Sequence, residues 1–311
     1  MKAFPVEIEN LVDNKKHKII RTALLCENIT RAEIADICGV SNVTVGKIVT
    51  KLIESDVLSC EKRSLGVGPH TDVLSPSDKI NTVFLHLGKS RIKLSVCDMS
   101  HNIIFEHSLR VDESIPYESN LTALAMSVYN DLKGILANRI CSVAVAFDDD
   151  SLLPATALLS STFEDFTIDF SMHYNDYIKR FIGEKTDKSI LLIRLDNTID
   201  ISLICGDRVF SSERQISDRL DMLDLSSAVF NIADTVAHLL KILIPDKIII
   251  ESDTLPINDT FINTLTSKIK ECAPKYGDLI PEIYDGEALR LALRAASDMT
   301  LAKLADILCE K

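Results

Sequence analysis

Residues Ile29–Leu58 read ITRAEIADICGVSNVTVGKIVTKLIESDVL, and this stretch governs the reading of the whole chain. Thr30 and Glu33 have the spacing of a capping box: the Thr hydroxyl takes the Glu33 amide, and the Glu33 carboxylate reaches back to the Thr30 amide. A short helix follows, with Ala32, Ile34 and Ala35 available for packing. Gly39 supplies the permissive backbone of a tight turn, and Ser41 caps a second helix. In that helix Val45, Ile48, Val49 and Leu52 fall at i, i+3, i+4 and i+7, one apolar face. The opposite face carries Asn42, Thr44, Lys47, Thr50 and Lys51, short polar or basic groups suited to base edges and phosphates. Cap, turn glycine and polar face agree on a helix-turn-helix whose second helix docks in a major groove. A helical hairpin that binds protein, or only packs, shares the apolar pattern and stands as the alternative.

Outward from this stretch, a first helix is expected over Asn14 to Cys26, with Ile20, Ala23 and Leu24 on its packing face. Downstream, Val57–Cys60 and Thr71–Leu74 read as two short strands around EKRSLGVGPH, a glycine-bearing loop that makes a wing. Lys62 and Arg63 in that wing are candidate phosphate contacts, with a solvated turn as the plainer reading. The wing keeps Gly66 and Gly68 but has no arginine at its tip. Gly46, inside the second helix, costs about 1 kcal/mol of helix propensity relative to Ala; it reads either as room for close approach to a phosphate or as tolerated drift. Ser75-Pro76-Ser77-Asp78 is a linker by composition.

From Ile80 the pattern changes. Thr82–Leu87, Arg91–Asp98 and Ile103–Val111 form a three-strand meander. A helix over Ser119 to Ala137 and an uninterrupted apolar strand, Ile140–Phe147, follow; such a strand is buried on both faces. The second half repeats this grammar. Ile190–Leu195 and Ile199–Cys205 make a hairpin around Asp196-Asn197, and Arg208–Ser211 adds a third strand. Then come a helix from Ser226 to Leu243, a strand at Lys247–Glu251, a helix near Pro256–Cys272, a strand near Leu279–Ile283 and a final helix from Asp285. Meander, helix and buried strand, occurring twice, predict a duplicated α/β body with a cleft between the halves.

The chain has 311 residues and a net charge of −12. Residues 1–63 hold 10 Lys/Arg against 9 Asp/Glu, and the remainder holds 24 against 37, so the acid excess lies outside the helix-turn-helix. An acidic body discourages unspecific contact with phosphate away from the docking face. No run of about 18 uncharged apolar residues occurs, so no membrane span is expected. The N-terminus, MKAFPVEIEN, lacks an apolar signal core, and the expectation is a cytoplasmic protein. None of the eight cysteines forms a C-x-C or C-x-x-C pair, so they read as free thiols, most of them buried, and no metal site is expected.

A winged helix-turn-helix joined to a duplicated α/β body resembles the ROK family of repressors, open reading frames and sugar kinases. The resemblance is strongest at NITRAEIADICGVSNVTVGKIVTKLIESDVLSCE, which looks like the family's repressor head. LHLGKSRIKLSVCDMSHNIIFEHSL looks like its first nucleotide-binding meander, NDYIKRFIGEK like its active-site Asn-Asp and following helix, and LRLALRAASDM like its C-terminal helix. The fold class this implies is α/β with a small α+β head. A winged helix-turn-helix over residues 1–76 precedes a duplicated actin-like ATPase (ribonuclease H-like) body with halves 77–184 and 185–311.

The departures from the kinases bear on function. Where kinases of this kind open the first hairpin with an acidic residue, glycines and Thr, this chain has His86-Leu87-Gly88-Lys89-Ser90. The second phosphate hairpin, normally glycine-rich, reads Arg194-Leu195-Asp196-Asn197-Thr198-Ile199-Asp200, with no glycine and two carboxylates. The Gly-Gly of the adenosine site is replaced by Glu251-Ser252-Asp253, and the zinc loop is absent. Asp176 matches the family's general base, but a base is useless without a phosphoryl donor held in line. It reads as a remnant that caps the helix Tyr177–Ile182. Glu213 lies near the family's sugar-binding Glu but lacks its Gly-His companions, and His86 and His173 read as cleft or surface histidines.

The expectation is therefore a sequence-specific transcriptional regulator, in the first instance a repressor, that binds double-stranded DNA and has no catalytic residue, cofactor or metal. Ser41, Asn42, Thr44, Lys47, Lys51, Lys62 and Arg63 are the candidate DNA contacts. Asn175, Asp176 and Glu213 are candidate contacts for a sugar or sugar-phosphate effector. A homodimer or homotetramer is expected, because operator symmetry mirrors protein symmetry. Two alternatives are an ATP-dependent sugar kinase with an attached head, and a scaffold that binds protein through the helix-turn-helix.

Overall fold

The computed structural model describes residues 14–26, 28–63, 71–155, 168–185, 189–195, 199–205, 208–211, 225–240, 245–252, 258–274, 282–285 and 287–309. The chain opens with three helices, α1 (Asn14–Leu25), α2 (Arg31–Cys38) and α3 (Asn42–Glu54). The two-residue strand β1 (Ile29–Thr30) lies between the first two. It joins β2 (Leu58–Arg63) and β3 (Thr71–Pro76) in a three-stranded sheet of order β1-β3-β2. The loop 64–70, including Gly66 and Gly68, lies outside the described residues.

Two five-stranded sheets of one strand order make the body. The first runs β6-β5-β4-β7-β8, from β4 (Ile80–Leu87), β5 (Arg91–Asp98), β6 (Ile103–Arg110), β7 (Ile140–Phe147) and β8 (Ile168–His173). The second runs β11-β10-β9-β12-β13, from β9 (Ser189–Leu195), β10 (Ile199–Cys205), β11 (Arg208–Ser211), β12 (Lys247–Ser252) and β13 (Glu282–Asp285). In each, three antiparallel strands are extended by two parallel ones.

Strand periodicity sorts the core into layers. On β4, Val83, Leu85 and Leu87 face α4 (Tyr117–Ile135), while Phe84 faces the interior between the sheets. On β9, Leu191 and Ile193 face α6 (Leu225–Leu240) and α7 (Asp259–Cys272), while Ile190 and Leu192 face inward. Two helices, α5 (Tyr174–Lys185) and α8 (Glu287–Cys309), fill the space between the sheets. Among the described residues the order of layers is thus helix, sheet, helices, sheet, helices.

The junction between head and body is not a loose tether. Ser75 and Pro76 end β3, Ser77 is buried with its amide on the Val57 carbonyl (3.0 Å), and Lys79 pairs with Asp56 (2.8 Å). The linker reading of 75–78 is therefore corrected: backbone pairing anchors these residues. One apolar core joins Ile19, Ile20, Leu24, Ile34, Val45, Val49 and Leu74 of the head to Ile80, Met99 and Ile140 of the first sheet and to Leu301, Leu304 and Leu308 of α8.

Element bounds differ from the sequence reading in a few places. The α5 helix begins at Tyr174, so Asp176 sits inside its first turn and is not its cap. The α7 helix starts later than Pro256, because the Asn258 side chain accepts the Phe261 amide (3.0 Å). Asp285 ends β13 and does not open the last helix. Ala32 is exposed, while Ile34 and Ala35 pack as expected. Among the cysteines Cys38, Cys97 and Cys141 are buried, four are half-buried and Cys60 is exposed. Strand β8 escaped the sequence reading although Ile168, Phe170 and Met172 alternate with Asp169, Ser171 and His173. No described helix is long and apolar enough to cross a membrane.

Candidate nucleic-acid interface and interlobe cleft

The head presents α3 outward. Its entry is built by two caps. The Thr30 hydroxyl accepts the Glu33 amide (3.2 Å), and Glu33 Oε2 accepts the Thr30 amide (2.8 Å), which holds the Glu33 carboxyl below its ordinary range. Gly39 takes φ 67°, the left-handed conformation that ends α2 at low strain only for glycine. The Ser41 hydroxyl accepts the Thr44 amide (3.3 Å) and pairs with the Thr44 hydroxyl (2.9 Å). Val45, Val49 and Leu52 are buried beneath, with Ile48 half-buried. Asn42, Thr44, Lys47, Thr50 and Lys51 are all exposed on the outer side. Val43 joins them at 70% exposure, an apolar side chain on a polar face that the sequence reading left out. Its branched methyls suit contact with a thymine methyl, and its place between two polar candidates was the available signal.

The two cations of β2 diverge. Strand periodicity sends Ser59, Glu61 and Arg63 to one side of β2 and Lys62 to the other. Ser59, Glu61 and Arg63 line a cavity of about 530 Å³ between the β2–β3 hairpin strands and the turn at Asp98–Ser100. Arg63 is held there by Glu61 (2.9 Å) and by the Asn28 side-chain oxygen (2.7 Å). Lys62 is exposed on the opposite side.

A second constellation fills the cleft between the sheets. His86 near the end of β4 bonds Asp148 (2.9 Å), which follows β7, and Asp148 also pairs with Arg194 of β9. The Tyr174 ring stacks on His86, centroids 4.1 Å apart at 13°, with the Arg194 guanidinium 5.7 Å from its own ring centre. The Tyr174 hydroxyl donates to Glu251 of β12 (3.0 Å), and the same carboxylate accepts the Leu289 amide at the start of α8 (3.1 Å). Five side chains, drawn from both sheets and from α5, together with one backbone amide of α8, thus satisfy one another out of water. Burial alone would raise the Asp148 carboxyl, but Arg194 and His86 outweigh it and hold it well below the carboxylate range. At Glu251 burial prevails over Lys93, His86 and Arg194, and its carboxyl is raised.

The surviving glycine of the first hairpin has a packing reason. A Cβ on Gly88 would lie 2.7 Å from the Arg91 carbonyl, and the Tyr117 hydroxyl donates to the Gly88 carbonyl (2.9 Å). The neighbouring acids are also engaged: Asp149 with Lys89 (3.1 Å) and Asp150 with His173 (3.0 Å).

The expected effector residues do not converge with this network. Asn175 donates to Ser202 (3.0 Å), and Asp176 is half-exposed 4.0 Å from Lys179. Glu213, Asp196 and Asn197 lie outside the described residues. Asp148 and Tyr174 were missed in the sequence. The signal for the first was the Asp148-Asp149-Asp150 run at the carboxyl end of a buried parallel strand, where open α/β sheets place their crevices. Among the described residues no group of three or more His, Cys, Asp or Glu side chains is arranged to hold a metal.

No family model and no curated protein matches this sequence. Solved structures do. A ROK family transcriptional regulator, described as a homologue of the E. coli Mlc protein, matches at TM-score 0.59 and 10% identity. That match covers 95% of this chain and 98% of the other. A ROK hexokinase from Thermus thermophilus matches at TM-score 0.44 and 13% identity, over 71% of this chain and 98% of its own. A ROK family glucokinase from Streptomyces griseus, in complex with glucose and AMPPNP, matches at TM-score 0.44 and 10% identity, over 70% and 98%. The alignment with the regulator runs through the head as well as the body of this chain, and what is shared at that identity is the fold.

Proposed function

We propose that this chain, which shares the fold of a ROK family regulator from head to C-terminal helix, is a DNA-binding transcriptional regulator with a catalytically inactive sugar-kinase-like body. The observation that carries the reading is α3: a capped helix with three buried apolar residues on one side and Asn42, Val43, Thr44, Lys47 and Lys51 exposed on the other. The head is read as a winged helix-turn-helix. Asn42, Val43, Thr44 and Lys47 contact bases in the major groove, and Lys51 and Lys62 contact phosphates. Ser41 serves the helix entry, and Arg63, neutralised by Glu61, contributes less than Lys62.

The inactive body is supported by the contents of the cleft. A kinase of this fold needs backbone amides and open space for a nucleotide's phosphates. Here Asp148, Arg194, His86, Tyr174 and Glu251 occupy the space between the sheets and satisfy one another. Asp176, the residue that matches the kinase base, stands beside Lys179 at the margin. The two sheets of one strand order are read as a duplication, and the regulator is read as an even-numbered homo-oligomer, a repressor on an inverted repeat. A sugar-type effector, if bound, meets Asn175 and Asp176 on α5.

The test is selection of bound fragments from genomic DNA by the purified protein at near-physiological salt. Recovery of a few intergenic fragments sharing an inverted repeat is the expected result. Recovery of none, together with sugar-dependent ATP turnover abolished by Asp176→Asn, overturns the reading in favour of a kinase.

A further inference from the structure

We propose that α8 is a rod that transmits the state of the interlobe network to the head. At 23 residues it spans about 35 Å, enough to connect the two sites directly. Its first turn is tied to the cleft: Glu251 accepts the Leu289 amide and the Tyr174 hydroxyl with one oxygen, and Tyr174 stacks on His86. Its middle turns lie between the sheets, with Leu291, Ala295, Ala296 and Met299 in the inner core. Its last turns belong to the head, where Leu301, Leu304 and Leu308 share a core with Ile19, Ile20 and Leu24 of α1. Asp306 of α8 bonds His17 of α1 (3.0 Å). One rigid element therefore has a polar switch at one end and the packing face of α1 at the other.

The surface along which α8 lies is suited to small shifts. On the inner face of the first sheet, Thr82 pairs with Thr300 (2.9 Å) and Cys97 with Ser297 (3.3 Å), both on α8. Strand register puts Ser95 beside Phe84 and Ser142 beside Thr82 on that face. Both hydroxyls are buried and find no partner among the described residues. Small side chains and spare hydroxyls let a helix exchange hydrogen bonds as it slides, whereas interlocked large apolar groups resist sliding. The ion pair of Lys303 with Asp169, whose other oxygen accepts the Val143 amide (3.0 Å), ties the helix to β8 and sets its resting position. A ligand or partner that recruits Glu251 or Tyr174 would release the first turn of α8, and the head would register the change without touching the ligand.

The test uses hydrogen exchange of the full chain with no DNA present, so it is independent of the DNA-binding reading. Tyr174→Phe removes only the hydroxyl donor and keeps the ring stack; Glu251→Ala removes the acceptor shared with Leu289. Coupling predicts that exchange rises about tenfold near 248–252 and 288–292, the order expected for one lost bond to a carboxylate. It also predicts a rise of at least ~3-fold in α1 and in residues 301–309, with α4 and α7 unchanged. A rise confined to the cleft residues in both variants overturns the proposal. So does an equal rise in α4 and α7, because that is general loosening and not transmission. If Glu251→Ala fails to fold, Tyr174→Phe alone decides. Failure of DNA selection with transmission intact would sink the regulator reading and leave the rod standing.

Discussion

Asp148 is the residue on which the cleft argument is most exposed to test. It is 11% exposed and paired with Arg194, itself 12% exposed, and with His86. Asp148→Ala removes the carboxylate paired with the Arg194 guanidinium in a nearly dry site. Removing one partner of a buried pair costs about 3–5 kcal/mol, because the remaining charge keeps its desolvation penalty. For a domain of this size each kcal/mol lowers the melting midpoint by about 2–4 °C, so a fall of roughly 6–20 °C is expected in a thermal scan. Arg194→Leu combined with Asp148→Leu removes both charges together and should recover most of that loss, since apolar replacement of a whole buried pair is often neutral. The pH dependence has a definite sign. The Asp148 carboxyl lies below its unfolded value, so its contribution is full above about pH 4 and is lost as pH falls further. In Asp148→Ala, acid should therefore lower stability by less than in the parent. Single variants that each cost under ~1 kcal/mol, with a double variant equal to their sum, would show that the pair is not a buried unit and would refute the reasoning.

Four further outcomes follow from the geometry. Glu251→Gln keeps an acceptor for Tyr174 and Leu289 but removes a charge whose folded pKa is raised, so the parent loses stability as pH rises through that value and the variant does not; urea midpoints at pH 5 and pH 8 check this. Gly88→Ala places a methyl 2.7 Å from the Arg91 carbonyl and should destabilise by about 1–3 kcal/mol in chemical unfolding, whereas Gly46→Ala meets nothing within 4 Å and should stabilise by about 1 kcal/mol. If Gly46 also admits a phosphate, that second variant gains stability while losing affinity for operator DNA, seen by titration. Lys47→Ala should cost about 1–3 kcal/mol on the selected operator and less on random DNA, while Lys62→Ala weakens both alike and lowers the salt slope by about 1; Arg63→Ala should change either by less than Lys62→Ala, being already paired.

The local devices of the head were written in the sequence because their causes are local. Thr30, Glu33, Gly39 and Ser41 act within one or two turns of themselves, and their spacing alone specifies cap, turn and helix start. The strands of both sheets were legible for a similar reason: β-branched runs and turn residues report burial on one or both faces. Strand β8 was not, because half-buried alternation in IDFSMH competes with a helix that starts directly after it at Tyr174. The cap role expected of Asp176 failed for the same reason, since the helix was read three residues late.

Sequence alone specified the order of the elements other than β8, the apolar faces of α1 and α3, and the acid excess beyond the first 63 residues. Which charged groups meet was set by tertiary packing. Asp148 and Arg194 are separated by 45 intervening positions, and Tyr174 and Glu251 by 76, so no short-range pattern could pair them. The pairing arises because two sheets of one strand order close on α5 and α8 and bring the ends of β4, β7, β9 and β12 to one place. The same closure carries α8 from that place into the core of the head. A helix with 23 residues announces its length in the sequence, but the partners at its two ends are set by packing, which depends on contacts that chain order does not encode locally.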